Sequence, residues 1–338
     1  MGTTVSIADD IAAILPAPLD RYGDHPETGP RHRLVSYTGA ARGAYAANTD
    51  RALASDTRAY CSWCMAQGQP PLPATPDCVS AYVDDMAARY AMATIRRRLS
   101  SIARLHRAAG LSDPTKSELV RLALRRVARI KGTRQRQAEA ITEPVLRTLR
   151  ATARAGSLAD LRDIALWRVA RDLLARRGEL VAIDVEHMHL EEDGSALLFV
   201  PRSKTDQEGR GAVLWLAPET VDAVTSWMRA AGIEKGALFR KVHKGGHSVG
   251  RRLSADAVAR IWKRRAVLAG LDPTDFTGHS CRVGMAHDLL GAGLELPALM
   301  QAGRWRSPDM PARYVERLTA KRGAVARYHG YRNGSDTP

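Results

Sequence analysis

The chain has 338 residues, which is long enough for two domains with ordinary hydrophobic cores. Its hydrophobic fraction is 45%, but no apolar run approaches the roughly 20 residues of a membrane span, so an integral membrane protein is not expected. The net charge of +15 favours a polyanionic partner, although RNA or an anionic membrane surface would also fit the charge alone.

The N-terminal segment, residues 1–45, is rich in Pro, Gly and Ala and has weak hydrophobic periodicity. This composition predicts a flexible arm. Its first 20 residues contain aspartates but no basic residue at the start, whereas a signal peptide begins with a positively charged region. They therefore match a signal peptide poorly. A cytoplasmic location is therefore expected.

Residues 46–132 have the periodicity of a compact helical domain with four or five helices. In one of these helices, Ile95, Leu99, Ile102 and Leu105 form an apolar stripe. The clearest helical patterns cover residues 48–68, 77–90, 92–110 and 116–132.

The same domain carries a strong local excess of basic residues. Residues 89–136 contain 14 Lys or Arg and 2 Asp or Glu. A solvated charged face usually alternates in sign, and this one barely does. We therefore predict that the helical domain contacts DNA.

Cys61 and Cys64 form a C-S-W-C motif, but no second pair with zinc-ligand spacing follows it. Because both lie in a helical pattern, buried thiols are the better interpretation. Cys281 is interpreted as a packing residue. A cytoplasmic protein keeps such thiols reduced.

The polar segment 133–140 has no core pattern and is the predicted linker to a second domain over 141–338. Two apolar runs between residues 195 and 216 enclose a polar stretch, which predicts a β-hairpin. Helices are predicted over 144–155 and 158–176, and after the N-cap residue Ser254.

The second domain holds residues suited to phosphate chemistry. Arg176 and Glu179 lie three residues apart on a predicted helix, and Lys204 lies at the predicted hairpin tip. His279 and Arg282 are also three residues apart, which places them on one helical face.

Tyr314 follows Pro308 and Pro311, which are expected to break any continuous helix there. Arg282 can hold two phosphate oxygens, His279 can bind a phosphate oxygen or move a proton, and Tyr314 can attack phosphorus. An H-x-x-R match arises often by chance, and most tyrosines are packing or surface residues. On this stretch alone, a structural explanation is as good as a catalytic one.

Taken together, the chemistry-bearing residues resemble the catalytic pattern of the tyrosine recombinases, or phage integrase family: Arg, Lys, His-x-x-Arg, His or Trp, then Tyr. Two stretches of the sequence also resemble a member of the family: GHSCRVG and PALMQAGRW. The resemblance runs from about Asn48 onward, and six ordered matches make it highly specific. The matching residues are Arg176, Lys204, His279, Arg282, Trp305 and Tyr314.

The resemblance implies a mainly α-helical fold with a small antiparallel β-sheet. It would combine a helical SAM-like core-binding domain with a mixed α/β catalytic domain. It also implies that a C-terminal helix over 319–331 passes to a neighbouring subunit. The expected assembly is a homotetramer on two double-stranded DNA sites, with one dimer on the inverted-repeat arms of each site. A terminal helix folded on its own domain is the alternative.

The same resemblance implies a role for each matching residue. Arg176 and Arg282 would hold the non-bridging phosphate oxygens while Tyr314 forms a 3′-phosphotyrosine. Lys204 would protonate the leaving 5′-oxygen, and His279 would accept the tyrosine proton.

Two further residues would support this chemistry. Trp305 can donate a hydrogen bond but cannot shuttle a proton, so it is expected to pack and to donate. Glu179 would support Arg176 or His279. Because the cations are side chains, no metal or nucleotide cofactor is expected.

The resemblance also places several basic residues toward DNA. The resemblance places Asp256 and Ala259 where a similar member of the family has residues that help to read its target site. Because these residues differ, a different target sequence is expected. The predicted DNA-binding residues are Arg51, Arg97, Arg125, Arg126, Arg202 and Arg260.

The leading hypothesis is a site-specific DNA recombinase that acts through a Holliday junction on bacterial chromosomal, plasmid or phage DNA. A topoisomerase-like nicking and closing enzyme would use the same residues on one duplex. A DNA-binding protein that no longer cuts is the third possibility.

Overall fold

In the computed structural model of the protein, residues 28–134, 136–201, 206 and 210–332 are described. They are mainly α-helical with two small antiparallel sheets, which confirms the predicted fold class. The chain divides into two compact units between Arg136 and Gln137. No described helix has both the length and the apolar character needed to cross a membrane.

All secondary-structure elements among the described residues of the first unit are helices. A short 3₁₀ turn, Pro114–Lys116, precedes its last helix. The helices are α1 (Pro30–Ala41), α2 (Ala47–Ala66), α3 (Pro76–Arg89), α4 (Met92–Ala108) and α5 (Glu118–Lys131).

The core of this unit follows the predicted stripe on α4. Ile95, Leu99, Ile102 and Leu105 are all buried. The first three pack in one cluster with residues of α2, α3 and α5. All four cysteines of the chain are buried free thiols, which confirms the interpretation of the C-S-W-C motif.

The predicted flexible arm, residues 1–45, needs a correction. Residues 1–27 lie outside the described part of the chain, but α1 is helical. Leu34 of α1 is buried against Leu72, Leu105 and Ala109. The periodicity was weak because little more than this one leucine anchors the helix. Pro30 occupies the first helical position, where its missing N–H has no cost.

The second unit contains a three-stranded antiparallel sheet, β1 (Met188–Leu190), β2 (Ala196–Val200) and β3 (Ala212–Leu216). A second hairpin pairs β4 (Arg240–Val242) with β5 (Val249–Arg252). The helices are α6 (Glu143–Ala151), α7 (Leu158–Asp172), α8 (Arg177–Ala182), α9 (Pro218–Ala231), α10 (Ala255–Leu268), α11 (Ser280–Gly291), α12 (Leu296–Gly303), α13 (Asp309–Lys321) and α14 (Ala324–Arg332).

The predicted hairpin and the cap of α10 are both present. Leu198 of β2 pairs with Leu214 of β3 and faces the core. The side chain of Ser254 accepts a hydrogen bond from the backbone of Ala257, 3.3 Å away. This bond satisfies one of the N–H groups that a helix start leaves unpaired.

Two predicted helices end or begin elsewhere. The helix predicted over 158–176 stops at Asp172, because Leu174 adopts a positive φ of 42° and turns the chain. Arg176 is therefore the N-cap residue of α8, and the prediction that it lies within a helix was wrong.

Near the C-terminus, Pro311 lies inside the first turn of α13, so the expected break at this residue was wrong. Proline is tolerated there because first-turn N–H groups have no intrahelical acceptor. Tyr314 consequently stands on a regular helix. The final helix starts at Ala324 rather than at residue 319, after a break at Gly323.

Helix α11 passes very close to the start of the second unit. The backbone N–H of Ile141 donates to the Ser280 carbonyl at 3.0 Å. That of Glu143 donates to Asp288 at 2.8 Å. A Cβ on Gly284 would lie 1.9 Å from the Ile141 carbonyl oxygen, so only glycine fits at this crossing.

We expect Gly284→Ala to lower the free energy of unfolding by about 3 kcal/mol, because the added methyl group would push α11 away from the backbone of Ile141. Gly291→Ala is the matched control, since a Cβ there meets nothing within 4 Å. It should stay within about 1 kcal/mol of the wild type. Denaturant unfolding measures both, and equal stability of the two variants would contradict the crossing.

Candidate active site

The site is organised around Arg282 of α11, which is 1% exposed. Its guanidinium donates hydrogen bonds to the backbone carbonyls of Leu174 and Gly303. A buried guanidinium requires acceptors for its N–H groups. These bonds therefore tie α11 to the loop before α8 and to the end of α12.

The backbone is strained at one of these acceptors and directly after the other. Leu174 has a φ of 42° and Arg304, directly after Gly303, has a φ of 54°. They are the two non-glycine residues with positive φ within the described ranges. Strain of this kind concentrates at functional sites, where the surroundings hold it in place.

The Trp305 ring contacts both Arg282 and Tyr314. The guanidinium carbon lies 4.2 Å from the centroid of the Trp305 ring. The Trp305 and Tyr314 ring centroids are 5.9 Å apart with an interplanar angle of 73°. A Cβ on Gly303 would lie 1.9 Å from the Trp305 ring, so glycine makes room for the indole.

The cluster also contains one carboxylate, that of Glu179, which is 4% exposed. One carboxylate oxygen accepts from Arg176 Nη1 at 2.8 Å, and the other from Arg304 Nη2 at 2.6 Å. The backbone N–H of Arg176 also donates to the carboxylate, at 3.1 Å. The predicted pairing of Glu179 with Arg176 is therefore present in the structure.

Burial lowers the pKa of Arg282 to about 10. The charges of Arg176 and Arg304 contribute to this lowering, while Glu179 opposes it. Burial also lowers the pKa of Arg304. A pKa of about 10 still leaves Arg282 charged at neutral pH. Three arginines and one carboxylate give the site a net positive charge, which suits an anion.

The backbone carbonyl of Tyr314 accepts hydrogen bonds from two side chains. Gln137 Nε2 donates at 2.9 Å, and His287 Nε2 lies at 2.7 Å. Since a carbonyl only accepts, Nε2 of His287 carries the proton. These contacts hold the turn of α13 that carries the tyrosine.

Sequence analysis missed Arg304, Gln137 and His287. Gln137 lies in the polar segment that has no core pattern, and His287 is a polar residue among the apolar residues of α11. The one available signal was the charged residue between Gly303 and Trp305 in an otherwise apolar stretch.

Of three other predicted site residues, one lies at the start of α11 and two lie outside the described residues. Exposed His279 is the N-cap residue of α11, and its backbone N–H donates to Thr277 Oγ1 at 3.1 Å. Lys204 and Arg202 lie outside the described residues, so the structure says nothing of either.

The predicted DNA-binding arginines of the first unit make local contacts. Arg97 pairs with buried Asp56. Arg126 donates to both oxygens of Asp84, at 2.7 and 2.8 Å. Carboxylates outside residues 89–136 therefore balance part of the positive charge of that segment. Of the others, Arg51 bonds Asn48, Arg125 lies 3.7 Å from Glu118, and Arg260 is exposed on α10.

Comparison with known proteins places this site in a family. The model of the phage integrase family matches residues 139–321, more than half of the chain. An integrase/recombinase xerD homolog from Selenomonas ruminantium is 34% identical over 278 residues, covering 80% of this chain and 81% of that relative. The chain belongs to the phage integrase family. It is a tyrosine site-specific recombinase.

Two further similarities agree. Recombinase cre of Escherichia phage P1 is 29% identical over 304 residues, covering 85% of this recombinase and 89% of that protein. The Tn1549 transposon integrase, solved in complex with circular intermediate DNA, matches with a TM-score of 0.59 at 13% identity. That match covers 83% of this chain and 94% of the integrase, and it shows the shared fold.

Glu179→Ala should lower the free energy of unfolding of the recombinase by about 3–5 kcal/mol, because two largely buried arginines lose their carboxylate. Glu192→Ala removes the same charge at an exposed position and should change stability by less than about 0.5 kcal/mol. Denaturant unfolding compares the two, and an equal effect would contradict a buried charge cluster.

Proposed function

We propose that this recombinase cleaves and rejoins double-stranded DNA through a 3′-phosphotyrosine intermediate on Tyr314. The observation that carries the proposal is the contact of Trp305 with both Arg282 and Tyr314, beside a buried, positively charged cluster. This arrangement puts the phenol of Tyr314 next to arginine side chains that can bind a phosphate. Solved relatives support DNA as the partner, because the Tn1549 integrase and a lambda integrase dimer were both solved with DNA.

In the proposed step, Tyr314 Oη attacks the scissile phosphorus and the bond from phosphorus to the 5′-oxygen breaks. Arg176 and Arg282 hold the non-bridging oxygens, where negative charge grows in the transition state. Arg282 has N–H donors beyond the two that its carbonyl partners use. His279 takes the phenol proton, and Lys204 gives a proton to the leaving 5′-oxygen.

The remaining residues stabilise this geometry. Trp305 packs between the cation and the nucleophile, and Glu179 holds Arg176. The phosphotyrosine conserves the energy of the broken bond, so a 5′-hydroxyl from a partner duplex reverses the step and exchanges strands through a Holliday junction. Since side chains supply the positive charge, the proposal uses neither a metal nor a nucleotide cofactor.

Tyr314→Phe should abolish covalent capture of DNA while leaving DNA binding within about twofold, because the hydroxyl is lost and the packing remains. The test is a denaturing gel of protein incubated with its own replicon DNA in EDTA. An adduct that persists in Tyr314→Phe would refute Tyr314 as the nucleophile. A wild-type protein that binds DNA without any adduct would favour the non-cleaving alternative.

The proposed target is a pair of inverted-repeat arms, with a sequence that differs from the site of Recombinase cre. Asp256 at the start of α10 supports the difference. Its carboxylate pairs with Arg177 at 3.0 Å, so an acid and a base share one end of this helix. Contact by Arg51, Arg97, Arg125, Arg126, Arg202 and Arg260 is part of the same proposal.

The proposed assembly is a homotetramer in which α14 docks on a neighbouring copy. The described side chains of α14 are exposed, including Val325 at 73% and Tyr328 at 58%. An apolar groove of about 520 Å³ lies between α11, α12 and α13. Leu296, Leu299 and Val315 are among the residues that line it. An unpacked helix and an open apolar groove on one chain suit exchange between copies.

Replacing Val325 and Tyr328 together by Asp should abolish the complex of four protomers on two duplexes, because two charges enter an apolar groove. Capture of DNA at single sites should remain. Ala326→Asp is the control, since it adds charge to another face of the same helix. Mass photometry with DNA distinguishes them. Relaxation of supercoiled DNA without paired duplexes would instead favour the nicking and closing enzyme.

A further inference from the structure

Arg304 has three features that each cost free energy. Its φ of 54° lies in the left-handed region, which side chains with a Cβ disfavour. Its side chain is only 15% exposed, although it is charged. Its Nε and Nη1 atoms are buried and have no hydrogen-bond partner among the described residues. Costs of this kind persist where a residue serves function.

The hydrogen bond that Arg304 makes through Nη2 goes to Glu179 Oε2, the oxygen that also accepts the backbone N–H of Arg176. The Arg176 side chain donates to the other oxygen, Oε1. Two arginines therefore share one carboxylate from opposite oxygens.

Sharing the carboxylate limits what Arg176 can do with it. An arginine and a carboxylate left to themselves favour a two-bond pair that uses both oxygens and two N–H donors. Arg304 and the backbone N–H of Arg176 together use the two lone pairs of Oε2. The guanidinium of Arg176 therefore keeps one donor on Oε1, and its other donors remain available. In charge terms, Arg304 balances Glu179 and leaves Arg176 and Arg282 positive.

We infer that Arg304 is a positioning residue for DNA cleavage: it occupies one oxygen of Glu179 and thereby keeps Arg176 available to the scissile phosphate. This inference rests on the proposed function. It also explains why an arginine occupies a position where glycine would remove the backbone strain of a positive φ.

The test compares Arg304→Gly with the wild type. Glycine adopts a positive φ freely, and the variant also loses two buried N–H groups that have no partner in the described part of the chain. These gains offset the lost ion pair because Glu179 keeps Arg176, so the variant should unfold at the same or a higher temperature. Cleavage at saturating DNA should fall by about 10–100-fold, because Arg176 now binds both oxygens of Glu179. DNA affinity should stay within about threefold. Arg306→Gln, which removes an exposed positive charge two residues away, should cleave within about twofold of the wild type.

Opposite changes in stability and cleavage support a positioning role. A parallel loss of both would assign Arg304 to the fold, and wild-type cleavage by Arg304→Gly would remove any role; either result overturns the inference. Arg304→Lys, which keeps a donor for Oε2, should recover part of the rate.

A double-mutant cycle tests the route through Glu179. If Arg304 acts through this carboxylate, Glu179→Gln combined with Arg304→Gly should cleave no more slowly than the slower single variant. Fully additive losses would overturn the route.

A structural measurement separates this inference from the proposed function. A crystal structure of Arg304→Gly should place two N–H groups of Arg176 on the two oxygens of Glu179. An unchanged Arg176 overturns the inference whether or not the wild type cleaves DNA. Absence of any adduct dependent on Tyr314 would instead refute the proposed function.

Discussion

Burial of the Arg282 guanidinium is the constraint on which the rest of the site depends. A cation enclosed in protein must find acceptors and a polarisable face, or its desolvation is uncompensated. Here the carbonyls of Leu174 and Gly303 and the ring of Trp305 supply them. Both carbonyls are presented by turns next to α8 and α12, and each turn contains a residue with positive φ. The strain is therefore a consequence of how these carbonyls are aimed.

The same constraint explains the glycines around the site. Gly303 leaves room for the indole that lies over Arg282, and Gly284 lets α11 approach the first residues of the second unit. Arg171 strengthens that approach, since it donates to the Ile141 carbonyl and to Asp288. A rigid α11 holds Arg282, while Gln137 and His287 hold the carbonyl of Tyr314. The distance between cation and phenol is thus fixed from both sides.

Sequence predicted the parts of this protein that local pattern controls. The stripe on α4, the hairpin of β2 and β3 and the cap at Ser254 follow from periodicity and helix-end chemistry. Arg176, Arg282, Trp305 and Tyr314 followed from an ordered motif, and the structure brings them together. The roles of these residues stay predictions, as do those of Lys204 and Arg202, which lie outside the described chain.

What sequence did not predict depends on contacts between distant segments. Gln137 and Tyr314 are 177 positions apart, and Arg304 and Glu179 are 125 apart, so no periodicity relates them. Leu34 is the one buried apolar residue among the described residues of helix α1, which is too weak a signal to separate from a flexible arm. Pro311 was misjudged because a proline in a first helical turn and a proline that breaks a helix look the same in a sequence.

The most direct test of the account is to identify the covalent link itself. DNA-bound protein would be trapped, digested with a protease and analysed by mass spectrometry together with the ends of the cleaved strand. The account predicts that the peptide containing Tyr314 carries the 3′-phosphate of one strand, and that the other end is a free 5′-hydroxyl. A link to another residue, or through a 5′-phosphate, would contradict it.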